Sequence, residues 1–200
     1  MADVTTLIAT GTTLSTAKQE FEARAKYIEQ NLYNALQKGT VQSVDFDIYA
    51  TRALQQDTTI ELMQSADSKK VGITNINDRK LEANTYAFVT GIQILMAEVG
   101  ENTEASLAKA NYGQIDELMA NGELELKNGD KILIPRSSMS RFRTTTTPAN
   151  GLIGYVKLEC PKFLLPLTDI TPTLYLPAAY PQNKNIAVRI VLHGVKTNKA

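Results

Sequence analysis

The chain has 200 residues, 21 Lys and Arg against 21 Asp and Glu, and 43% hydrophobic residues. That size and balance fit one folded domain, argue against wholesale disorder, and leave no net charge to draw the chain to nucleic acid or anionic lipid. A single Cys excludes an intrachain disulfide, and one His with no Trp leaves few ways to build a His-dependent triad, a zinc site or a sugar-stacking platform, so the composition leans from catalysis toward structure or binding.

Residues 1–13 are small and Thr-rich, which suits an extended arm. Asp3 stands where a secretory leader would carry basic residues, and Leu7-Ile8-Ala9 is too short for its apolar core, so no signal peptide is expected. The longest apolar run, Ile92 to Val99, falls far short of a bilayer span, and no Asn-x-Ser/Thr sequon occurs. The expectation is a soluble chain that is not conventionally secreted.

From Leu14 to Gln37, Phe21, Ala25, Ile28, Leu32 and Leu36 recur every three or four residues, which predicts one long helix with those side chains on a single face. Thr16 and Gln19 have capping-box spacing at its start, and Gly39 suits its end. After Gly39 the period becomes two: Val44, Phe46 and Ile48 oppose Asp45, Asp47 and Tyr49 on a strand. Further strands are expected at 58–63, at 71–76 and at Tyr86 to Met96, the last apolar on both faces and so central in a covered sheet. In that strand Phe88, Ile92 and Ile94 are expected to alternate with Val89, Gln93 and Leu95. Residues 104–119 read as short helices divided at Tyr112-Gly113.

Asn128-Gly129, flanked by alternating apolar residues, predicts a hairpin with both residues at the centre of a type I′ turn. Ser137 to Asn150 is expected to be a long polar loop, and strands resume at 152–158, 163–165, 173–176 and 185–192. Five of the seven prolines fall between Pro161 and Pro181, so these strands should be short, bent or at edges. The expected fold class is mainly β, a sandwich or barrel over residues 39–200, with an arm and helix over 1–38 as an extension.

Chemistry-bearing residues are sparse. His193 ends the last strand without a Gly-x-Ser-x-Gly elbow to supply a nucleophile, Cys160 precedes Pro161 without evident activation, and both read as structural. Asp45 and Asp47 can present two carboxylates, with Asp67 or Asp78 near in sequence, but nothing follows a calcium-loop spacing. Residues 1–140 carry 13 basic and 19 acidic side chains, whereas 141–200 carry 8 and 2. Complementary surfaces of that kind can attract copies of the chain head to tail, unless folding interleaves the two segments. The basic end, including Arg141 and Arg143, lacks the aromatic and basic density of a nucleic-acid groove.

Three segments together resemble a family. Val71-Gly72-Ile73-Thr74-Asn75 running through Leu81 to Phe88-Val89-Thr90-Gly91-Ile92, then Met119 to Leu126, then Pro161 to Pro166 running to Ile190-Val191-Leu192-His193-Gly194, look like the strand succession of jelly-roll coat proteins of tailless icosahedral bacteriophages. The resemblance covers residues 70–200, and the chain's length implies a single jelly roll rather than a double one. It implies a non-enzymatic capsid protein of the virion, made in the host cytoplasm, whose partners are its own copies and other virion proteins. It implies neither cofactor, metal nor small-molecule substrate. The arm and helix would join neighbouring subunits or touch the genome or an internal membrane. Interface residues are then expected at Phe21, Ile28, Leu32 and Leu36 on the helix, which must bury that face against this sandwich or another copy, and at Arg141 and Arg143 in the long loop. The alternative from another class is a β-sandwich binding module, a spike, fibre or carbohydrate-recognising component.

Overall fold

The structure is a computed structural model that describes residues 17–54, 56–143 and 152–199. It is mainly β, with two four-stranded antiparallel sheets facing each other. In chain order the strands are β1 (Val41–Leu54), β2 (Thr59–Glu61), β3 (Ala87–Val99), β4 (Glu123–Asn128), β5 (Lys131–Ser138), β6 (Tyr155–Leu164), β7 (Ile170–Tyr175) and β8 (Asn185–Lys199). One sheet has the order β1-β8-β3-β6 and the other β2-β7-β4-β5. Side chains alternate as a period of two requires: Ile48, Ile92, Ile94, Leu124, Leu126, Leu174, Ile190 and Leu192 point between the sheets and form one core.

The helix expected over 14–37 is two helices, α1 (Ala17–Ile28) and α2 (Gln30–Gln37), separated at Glu29, whose backbone is extended at φ −154° and ψ 120°. No Gly or Pro marks this break, so the apolar periodicity runs straight through it. The break lets α1 lie on β3 and β8 while α2 turns onto β1. Phe21, Ala25 and Leu32 are buried there with Tyr86, Phe88 and Val195, whereas Ile28, at the break, is left 38% exposed. The Phe21, Phe88 and Phe163 rings pack together at centroid distances of 4.7–6.1 Å, Phe21 stacked on Phe163 and Phe88 tilted against both. Gly39 ends α2 as expected: at φ +69° it lets its own N–H reach the Leu36 carbonyl and the Thr40 N–H reach that of Ala35, a Schellman cap. Thr16 lies outside the described residues.

β3 is an interior strand buried on both faces, but its phase differs from the simple alternation. Val89 pairs with Gly194 and Gly91 with His193, so Thr90 is an extra residue, a bulge. The bulge puts Val89, Ile92 and Ile94 in the core and sends Phe88 to the opposite face, under the helices.

Other expectations shift for identifiable reasons. Residues 71–76 form turns and isolated bridges rather than a strand; the segment covers the free edge of β1, where the Thr51 N–H donates to the Ile73 carbonyl at 2.8 Å and the Tyr49 N–H to Asn75 Oδ1 at 3.0 Å. Residues 104–119 contain α3 (Glu104–Lys109) and α4 (Glu117–Ala120), each capped by the side chain before it, Thr103 and Asp116. The β4–β5 hairpin is present, but Asn128 pairs with Lys131, so Gly129 and Asp130 are the central residues and only Gly129 has positive φ. Asn128 is buried instead: its amide donates to the carbonyls of Thr168 and Asp169 and its oxygen accepts from the Leu165 N–H, which ties the hairpin to the β6–β7 loop.

Ser137 and Ser138 continue β5 and Met139–Phe142 make a 3₁₀ turn that buries Met139 and Phe142; residues 144–150 of the expected loop lie outside the described residues. The strands expected at 152–158 and 163–165 are one, β6, which runs through Pro161 because it is an edge strand that bulges outward between Lys157 and Lys162. Pro172 lies inside β7, at the end of the short pairing with β2.

Because the phenylalanine cluster is what attaches the helices, Phe21→Ala should cost about 3–5 kcal/mol. Limited proteolysis should cut within 17–38 in this variant before any strand, and urea unfolding followed by circular dichroism would measure the loss.

Candidate functional site

The outer face of the β1-β8-β3-β6 sheet carries a polar row to which all four strands contribute. Odd-numbered residues of β1 and β8 point to this face, and one residue from each strand forms a row across it: Asp47, His193, Gln93 and Tyr155. His193 Nδ1 lies 2.8 Å from Asp47 Oδ1, and Nε2 lies 3.3 Å from Gln93 Oε1. The Gln93 amide in turn donates to the Ile153 carbonyl at 2.7 Å. Tyr155 meets the imidazole edge-on, with centroids 5.4 Å apart. Gly91, opposite both His193 and Lys157, makes room for this ring; a Cβ there would meet the Tyr155 phenol. Burial raises the pKa of that phenol. A shallow groove beside the row is lined by Ala17, Asp45, Phe46, Asp47, Thr90 and His193.

An Asp–His pair is the orienting half of a nucleophilic triad, which needs a hydroxyl or thiol at the second ring nitrogen. Here that nitrogen faces Gln93, and the Thr90 hydroxyl nearby donates to the His193 carbonyl at 3.4 Å. Cys160 is exposed in the β6 bulge, on another part of the strand. The carboxylates considered together in the sequence are separated by their partners: Asp47 meets His193, Asp67 pairs with Arg52, and Asp78 sits in a turn with φ +49°. Among the described residues no three His, Cys, Asp or Glu converge as metal ligands.

Beyond the row, Arg189 pins the 71–76 segment to the sheet. Its Nε donates to Thr51 Oγ1 at 3.0 Å and Nη2 to the Gly72 carbonyl at 2.8 Å, with the guanidinium 4.1 Å from the Tyr112 ring. The outer face of the other sheet is a charge network: Arg79 bridges Glu61 and Asp169, and Glu125 accepts from Lys127 at 2.9 Å and from the Tyr175 hydroxyl at 3.2 Å. Arg136 stacks on Tyr175 at 3.6 Å. The Lys127 hydrogen bond holds the Glu125 carboxyl below its ordinary range. Burial pushes Asp169 up, but hydrogen bonds from Lys80 and Arg79 outweigh it and leave that carboxyl lowered.

The expected interface residues are divided between interior and surface. Phe21 and Leu32 are buried against the chain's own sheet and Leu36 packs beside them, so the helix face is covered within the molecule. Ile28 stays partly exposed next to Tyr27, which is 79% exposed. Arg141 and Arg143 are exposed on and beside the 3₁₀ turn, with Arg143 3.3 Å from Glu117. The basic C-terminal segment supplies β6, β7 and β8, two of which are interior strands between acidic-segment neighbours, so the polarity along the sequence is interleaved in the fold.

Comparison with protein-family models, with curated proteins and with solved structures gives no match in any of the three.

Two glycines hold this face together for different reasons, and substitution separates them. A Cβ at Gly194 would run into the Phe88 carbonyl oxygen of the neighbouring backbone, whereas one at Gly91 would meet only the far end of the Tyr155 side chain, which can swing away. Gly194→Ala should therefore destabilise by about 3 kcal/mol and Gly91→Ala by about 1 kcal/mol in urea denaturation.

Proposed function

We propose that the chain is a virion structural protein, a capsid subunit built as a single jelly roll that assembles with copies of itself and with other virion proteins. The observation that carries this reading is the strand order. Pairing joins β1 to β8, β2 to β7, β3 to β6 and β4 to β5, as in a long hairpin rolled into two sheets. That pairing supports reading the eight strands as a jelly roll, an architecture used by viral shells and by lectin domains.

Features of the surface favour the shell over the solitary module. The sheet edges resist open-ended strand addition: β2 has three residues, β1 is covered by 71–76, β5 carries Pro135, and β6 carries Lys157, Lys162 and Pro161. Association is then left to faces, loops and the N-terminal region, which are the parts that closed symmetric assemblies use. Arg141 and Arg143, exposed beside Glu117, offer charged contacts of the rim type.

Electron microscopy and light scattering of the purified protein across ionic strength test the proposal. Rings or shells whose size depends on concentration and salt are the expected result. A 22.0 kDa monomer under every condition would overturn it, and a compact oligomer that binds glycans without ever forming a lattice would establish the binding module instead.

A further inference from the structure

His193 is the chain's single histidine, and both of its ring nitrogens face oxygen. Asp47 presents a carboxylate, which accepts hydrogen bonds when ionised. Gln93 carries both a donor and an acceptor, but its orientation is fixed by its other contact. The Gln93 Nε2 group donates to the Ile153 carbonyl at 2.7 Å, and turning the amide over would set two oxygens against each other at that distance. Its oxygen therefore faces the imidazole, and only the imidazolium, with N–H on both nitrogens, satisfies both neighbours.

We propose that His193 is a proton-operated latch that couples pH to the segment leading into β6. Protonated, the ring closes a continuous chain from Asp47 on β1, through β8 and Gln93 on β3, to Ile153. Deprotonated, it keeps one N–H, which Asp47 retains because its carboxylate has no proton to give. The second nitrogen then presents a lone pair to Gln93 Oε1. Either that contact is lost, or the amide turns and releases the Ile153 carbonyl. The next residue, Gly154, accepts the Ile94 N–H at 3.0 Å, so loosening reaches the backbone of β3.

Among the described residues, the charged and titratable groups around the ring are few. From β1 they are Asp47 and, along the groove, Asp45; from β6 they are Tyr155, whose ring contacts the imidazole, and the exposed Lys157 two residues on. α1 contributes Ala17 at the groove, while Lys18 and Glu22 pair with each other and Glu22 accepts from Ser43. The latch is closed while the imidazole carries a proton on both nitrogens and opens when rising pH removes one of them. This holds whether or not the chain builds a shell.

Amide hydrogen exchange on the whole chain, corrected for the intrinsic pH dependence of exchange, tests the latch together with ¹⁵N spectroscopy of the lone imidazole. Protection of the Ile94 amide should fall about tenfold between roughly pH 5.5 and pH 8, the factor expected for one hydrogen bond to a charged group. It should be independent of pH in His193→Gln. At the alkaline end the wild-type ring should hold its proton on Nδ1. Protection that does not change with pH in the wild type, an equal fall in His193→Gln, or a neutral ring protonated on Nε2 would each overturn the proposal; the ring spectrum needs only the unaltered protein.

Discussion

The position of β8 governs the rest of the molecule. The last strand of the chain lies between β1 and β3 and pairs with both along nearly its whole length, from Asn185 to Lys199. Until it arrives, β1 and β3 have no shared neighbour and the sheet has no middle. β7 has the same role in the other sheet, between β2 and β4. Such nonlocal pairing adds loop-closure entropy that has to be met before its contacts form, which slows folding. It also explains why β8 is apolar on its inner face through Ile186, Val188, Ile190 and Leu192: an interior strand has to meet a core wherever it runs.

The local elements follow from local chemistry. The cap at Gly39, the β4–β5 hairpin and the divided helices over 104–119 each rest on residues adjacent in sequence, and all are present. What periodicity missed is what depends on partners. The break at Glu29 is set by where β1, β3 and β8 lie, and 71–76 is held by Arg189 and Asn75 rather than by its own alternation. The bulge at Thr90 did leave a trace, since an isolated glycine within a strand, here Gly91, is the usual mark of one. Reading it would have moved Phe88 to the helix side.

The polar row was out of reach for a different reason. Asp47 and His193 are 146 positions apart, and Gln93 and His193 are 100 apart, so no spacing rule joins them. Asp47 and His193 were each visible as isolated residues, and each had an ordinary structural reading. Their significance arises from strand register: β8 brings His193 opposite Asp47 on one side and Gly91 on the other, and the bulge advances Gln93 into reach.

The bulge thereby sets two properties of the sheet at once. Without the extra residue at Thr90, Phe88 and Gln93 would lie on opposite faces; with it, both point outward, Phe88 under the helices and Gln93 under His193. Gly194, which pairs with Val89 just before the bulge, admits the Phe88 carbonyl where any side chain would block it. One irregularity of backbone therefore attaches the apolar helix pair and assembles the polar row a few residues farther along the same strands. The two cannot be adjusted independently. A change that straightens β3 would withdraw Phe88 from the phenylalanine cluster and Gln93 from the imidazole together, so the outer face of this sheet behaves as a single unit built on the register of β3 against β8.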